Sequence, residues 1–103
     1  MLKVEVHLLA FGKENEIREV EVPEAEGKTW DQSTLLEKIF KWGQNVYQPQ
    51  QHPSVSMGDV IELPDGSFHL VLPLGFKKLT GEELGDYEKL DRKERYFAAL
   101  FPS

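Results

Sequence analysis

"VIELPDGSFHLVLPL", residues Val60 to Leu74, decides the fold class. Val60 to Leu63 is a short apolar run. Pro64-Asp65-Gly66-Ser67 then carries turn chemistry: proline presets φ, aspartate bonds its own backbone, and glycine accepts positive φ. Phe68 to Leu74 returns, with Phe68, Leu70, Leu72 and Leu74 alternating against His69, Val71 and Pro73. That period of two marks a strand with one face on a core. Pro73 donates no ladder hydrogen bond, so the strand is expected to end there or to lie at an edge. Such a hairpin commits the chain to antiparallel sheet.

Working back from it, Lys3 to Ala10 alternates in the same way. Val4, Val6, Leu8 and Ala10 lie on one side, and Lys3, Glu5, His7 and Leu9 on the other. Phe11 to Glu16 reads as a turn, Ile17 to Val22 as a second β-rich run, and Pro23 to Lys28 as an acidic loop. A helix follows. Thr29-Trp30-Asp31-Gln32 matches a capping box, with Asp31 and Ser33 as alternative caps. Leu35, Leu36, Ile39, Phe40, Trp42 and Val46 keep a helical stripe, and Gly43 offers a stop. From Tyr47 to Ser56 neither period holds, and Pro49 and Pro53 favour extended backbone before them.

Beyond the hairpin, Gly75-Phe76 turns the chain into Lys77-Lys78-Leu79. Thr80-Gly81-Glu82-Glu83 is a second capping box, and Gly85 is expected to break the helix it starts. Asp91-Arg92-Lys93-Glu94 caps another, with Leu90, Phe97, Leu100 and Phe101 as its apolar side. The order ββαββα predicts an α+β fold: a small, largely antiparallel sheet packed by helices, compatible with a β-grasp-like or small-barrel arrangement. Leu35, Ile39, Phe40, Leu70, Leu72 and Phe97 are the expected core.

At 103 residues one shared core is expected, so residues 1–103 read as a single domain. A hydrophobic content of 40% is too high for a disordered chain. The absence of cysteine excludes disulfides, thiolate metal sites and a cysteine nucleophile. With no apolar run of membrane-spanning length, a cytoplasmic protein with no membrane association is expected. The net charge of −6 argues against nucleic acid and anionic membranes, both of which need a positive field. Residues 1–30 carry four basic and seven acidic groups and residues 80–103 four and six, so the acidity sits at the two ends.

Little in the chain suggests chemistry. His7 and His69 lie on predicted strands in no ligand spacing, though they could meet across a sheet, and His52 lies in the proline-flanked loop. Glu19, Glu21, Glu24 and Glu26 read as a solvated rim. Ser54 and Ser56 have no base or glycine elbow beside them. No glycine-rich phosphate loop exists. No enzyme activity, cofactor or metal site is expected.

The amide-rich segment before the hairpin is more informative. Gln44, Asn45, Tyr47, Gln48, Gln50 and Gln51 offer uncharged hydrogen-bonding groups, and Pro49 and Pro53 lower the entropy lost on holding them still. Trp42, Gln44, Asn45, Tyr47, Gln48, Ser54, Ser56 and Asp59 are therefore the candidate partner-binding residues. The alternative is a crossover whose amides cap the helix end and a strand edge.

Three stretches across residues 40–79, "GQNVYQPQ", "PSVSMGDVIEL" and "GSFHLVLPLGFKKL", resemble small phage- and plasmid-borne proteins of the YodL-like type. In that group a GQN-type helix end precedes an SVSVGDVI-type strand and a closing apolar strand that ends in Gly-Phe or Gly-Trp. Met57 stands where the group often has an aliphatic residue. The resemblance implies a mobile-element accessory protein and supplies no catalytic residue, the family having no established activity. Two functions follow. One is a non-enzymatic adaptor or regulator that binds an unidentified protein through Trp42 to Asp59. The other is a nucleic-acid-associated module using Lys77 and Lys78 beside Phe68 and Phe76.

Overall fold

Both hairpins form. In the computed structural model, which describes residues 2–10, 16–23, 30–44 and 54–101, β1 (Leu2–His7) pairs with β2 (Ile17–Val22), Val4 opposite Val20 and Val6 opposite Arg18. β3 (Val60–Glu62) pairs with β4 (Phe68–Val71), Val60 opposite Leu70 and Ile61 opposite His69. Antiparallel pairing of β1 with β3 joins them, Val6 opposite Ile61. Gly66 takes the positive φ of +86° that the intervening turn requires.

The strand count exceeds expectation. Phe76–Leu79, read from sequence as a turn exit, is a fifth strand, β5, paired with β4. Its four residues hold only two apolar positions around two lysines, too short a pattern to signal a strand. The resulting sheet has the order β2-β1-β3-β4-β5, every pairing antiparallel. β2 and β5 are both edges, so the sheet is open rather than a barrel. A β-grasp needs a parallel central pair, and none occurs among the described residues.

Alternation then assigns two faces. On one, Val4, Val6, Val20, Val22, Ile61 and Val71 form a buried cluster with Leu8, Val55 and Leu63. Helix α1 (Gln32–Trp42) covers this face with Leu36 and Ile39, and Leu35, Phe40, Trp30 and Trp42 pack at its margin. Each fully buried side chain of this size contributes about 1.5–3 kcal/mol. The helix starts one residue beyond Asp31, whose carboxylate accepts from Thr34 N at 2.7 Å, so the second of the expected caps is the one used.

Helices α2 (Gly81–Glu88) and α3 (Arg92–Leu100) cover only part of the other face. Leu84, Tyr87 and Ala99 meet Leu9, Val60, Leu70 and Leu79 there. Both helices carry complete capping boxes, Thr80 with Glu83 and Asp91 with Glu94, as the sequence predicts. Lys3, Glu5, Glu19 and Glu21 lie on the uncovered part of that face. Lys3 Nζ sits 3.9 Å from Glu19 and 3.8 Å from Glu21, exposed pairs that contribute little stability.

Three further expectations fail. Gly85 does not break α2, which runs through it to Glu88. The cost of a single glycine, about 1 kcal/mol, is offset by the capping box and by burial of Leu84 and Tyr87. Leu74 is 93% exposed, because β4 ends at Val71 and Gly75, at φ +84°, turns the chain back before Leu74 can share the face of Leu70. Phe97 is 48% exposed, and it is Ala99 that α3 buries. Leu70 and Ile39 are buried as expected, while Leu35, Phe40 and Leu72 are half-buried. No described helix is long and apolar enough to cross a membrane.

Candidate functional site

Of the segment expected to bind a partner, Asn45, Tyr47 and Gln48 lie outside the described residues, as do residues 11–15 of the expected turn, residues 24–28 of the expected acidic loop, and His52. Its two ends are bonded to the domain and to each other. Gln44 Nε2 donates to Phe40 O and to Val55 O, both at 2.9 Å, so this amide caps the end of α1 and ties it to the returning chain. Val55 N donates to Gly43 O at 3.2 Å. The same carbonyl accepts from Arg18 Nη1 at 2.8 Å. Arg18 is only 1% exposed, and burial holds its guanidinium below the usual arginine range. Placed at the C-terminal end of α1, its charge meets the negative end of the helix dipole.

Ser54 and Ser56 are half-buried, and Ser56 Oγ donates to Ser54 O at 3.0 Å. Trp42 is half-buried against the core, with Lys41 Nζ 5.4 Å from its ring centroid. Asp59 departs furthest from expectation. It is 1% exposed, and its carboxylate accepts from Ala10 N at 2.9 Å and Ser56 N at 2.8 Å. It fastens the exit of β1 to the bend before β3 and presents nothing to a partner. Burial pushes its pKa up to about 6, against the opposing effect of the two N–H donors.

A groove opens beside Asp59. Gly58, at φ +96°, donates its N–H to Val71 O at 2.8 Å, and its carbonyl accepts from Tyr87 Oη at 2.6 Å. A Cβ at Gly58 would lie 3.3 Å from both Ala10 Cβ and Tyr87 Oη, so glycine keeps this corner open as well as allowing its φ. Burial, and then the charge of Asp59, raises the pKa of the Tyr87 phenol. Arg95 reaches over from α3. Its Nη1 donates to Leu9 O and its Nη2 to Glu88 O, both at 2.9 Å, with a longer contact from Nε to Tyr87 O. The groove, ≈ 270 Å³ in volume, is lined by Ala10, Met57, Gly58, Tyr87, Arg92, Lys93, Arg95 and Tyr96. The sequence signal for it was Arg92, Lys93, Arg95 and Tyr96 on one helix, but their convergence on Ala10 and Gly58 is tertiary.

α3 also presents aromatics to solvent. Tyr96 is 49% exposed and Phe101 71%, and Phe97 lies one helical turn from Phe101. The Tyr96 and Phe97 rings meet edge to face, with centroids 5.7 Å apart.

Other constellations do not assemble. His7 and His69 lie on opposite faces of the sheet, as the pairing of Val6 with Ile61 and of Ile61 with His69 requires, so they cannot share a metal. Among the described residues no group of three His, Cys, Asp or Glu side chains is placed to hold one. His7 instead donates from Nε2 to Glu62 Oε1 at 3.0 Å. Asp65, Ser67 and His69 are linked, but in the wrong sense for nucleophile activation. Ser67 Oγ donates to Asp65 Oδ1 at 2.5 Å, so His69 Nε2, 2.8 Å away, must donate to Ser67 rather than accept its proton. Buried His69 is also harder to protonate than a free imidazole. Adjacent residues of a strand point to opposite faces, so Lys77 and Lys78 form no joint patch; Phe68 and Phe76 are likewise separated.

Comparison with known proteins finds no matching family model, no similar curated protein and no similar solved structure.

Proposed function

We propose that the chain is a non-enzymatic adaptor or regulator whose partner is another protein, and that α3 rather than the segment from Trp42 to Asp59 provides the principal contact. The observation that carries this reading is the exposed row of Tyr96, Phe97 and Phe101. Contiguous exposed aromatics are unusual on a small acidic domain, and aromatic side chains are enriched where proteins meet. The burial of Asp59 and the internal bonds of Gln44 remove two expected contacts from the earlier segment, although Trp42 at its start remains partly accessible. The resemblance of residues 40–79 to phage- and plasmid-borne proteins is the reason for setting this adaptor in a mobile element.

Affinity capture from the native host, with and without nuclease treatment, tests the proposal. A protein retained by the wild-type chain should survive nuclease and be lost from a Tyr96→Ala, Phe97→Ala, Phe101→Ala variant that keeps the wild-type unfolding midpoint. Capture that vanishes with nuclease supports the nucleic-acid reading instead. Capture untouched by the triple substitution refutes the assignment to α3.

A further inference from the structure

We infer that the groove between α3 and the corner formed by Ala10, Met57 and Gly58 is a binding site for a small aromatic carboxylate. It concerns the groove wall rather than the outward face of α3; Tyr96 belongs to both, so the test below substitutes Lys93 and leaves Tyr96 in place.

Shape and charge both bear on the assignment. The volume of ≈ 270 Å³ lies just below the range for drug-sized ligands and suits a single ring with a short substituent. Ala10, Met57 and the rings of Tyr87 and Tyr96 supply apolar walls. The thioether of Met57 adapts readily to an aromatic ring. Every charged residue lining the groove is a cation: Arg92, Lys93 and Arg95, on a chain whose net charge is −6. The lining therefore offers positive charge to an anion at short range.

Arg95 and Lys93 differ in what they can do. Arg95 is immobilised by the carbonyls of Leu9 and Glu88, so its charge is fixed beside the opening. Lys93 is exposed and its ammonium makes no ion pair or hydrogen bond among the described residues, which leaves it able to swing onto a carboxylate. Asp59, next to Gly58, is not among the lining residues and turns its carboxylate into bonds with Ala10 and Ser56. An aromatic cation would meet the like charges of Arg92, Lys93 and Arg95, and a neutral ring would make no use of them.

Phenylacetate is a suitable probe, with benzyl alcohol and phenethylamine as its neutral and cationic counterparts. Two-dimensional NMR titration of the full chain should give saturable shifts at Gly58 and Tyr96. Phenylacetate should bind at least about tenfold more tightly than either counterpart, the expectation for one charge-assisted hydrogen bond. Lys93→Glu should abolish that preference with an unchanged spectrum elsewhere, because an acid in the first turn of α3 suits the helix dipole. Lys89→Glu, outside the groove, should leave it intact. Shifts that do not saturate, equal affinity for benzyl alcohol, or a Lys93→Glu variant that binds as wild type would each overturn the assignment.

Discussion

Replacing Gly43 by Ala probes the joint that holds the amide-rich segment to the domain. Gly43 ends α1 at φ −77°, ψ −1°, a conformation open to any L-residue, so backbone strain plays no part. Space decides the outcome. An added Cβ would lie 2.3 Å from Val55 Cγ2, 3.0 Å from Val55 Cβ and 3.1 Å from Ile39 O. The nearest of these is about an ångström inside ordinary contact, on the steep repulsive side of the van der Waals well. Val55 is buried, Gln44 bonds its carbonyl, and its N–H bonds Gly43 O, so it cannot step back without breaking those links. Overpacking of this kind costs about 1–3 kcal/mol. Loss of glycine's freedom in the unfolded chain returns about 0.4–1 kcal/mol. A net loss of about 1–2 kcal/mol should lower the urea midpoint by roughly 0.5–1.5 M at constant m. Val55→Ala removes the offending methyl, although the Cβ contact at 3.0 Å stays tight. The double variant should therefore be more stable than the sum of the singles by about 1 kcal/mol. A neutral or stabilising Gly43→Ala, or strict additivity with Val55→Ala, would show that Val55 does not close against the end of α1.

Asp59, with its pKa raised in the fold to about 6 from the unfolded value near 3.9, favours folding most below about pH 4, and that contribution is lost as pH rises through about 6. Buried His69, held low, slopes the other way over an overlapping range, so the test compares midpoints of wild type and Asp59→Asn from pH 4 to 7. The difference between the two proteins should change across that window, and a constant difference refutes the assignment. Tyr87→Phe removes the donor to Gly58 O and should cost about 1–3 kcal/mol by urea unfolding, because a sequestered carbonyl loses its partner; a change below half a kcal/mol would show that water replaces it. Leu70→Ala should cost about 2–5 kcal/mol and Phe97→Ala under about 1, since Leu70 is buried and Phe97 half exposed; equal losses would contradict the faces assigned here.

What the amino-acid order determined by itself was local. The alternation of Val4, Val6 and Leu8, the turn at Pro64 to Ser67, and the boxes at Thr80 and Asp91 act over two to four residues, where periodicity and hydrogen-bond geometry leave few choices. From these the α+β class and most elements were legible, as was the stop at Gly43. Tertiary structure decided everything that depends on what approaches from afar. β5 exists because β4 offers it an edge, not because Phe76 to Leu79 has a strong strand pattern. Arg18 is buried because Gly43, 25 residues on, presents a carbonyl to it. Asp59, by sequence a candidate partner contact, becomes a buried clamp because the N–H of Ala10, 49 residues back, is brought to its carboxylate. The groove has the same origin: its walls come from four separated stretches, and only the packing of α2 and α3 on Leu9, Val60 and Leu70 brings Lys93 and Tyr96 over Gly58.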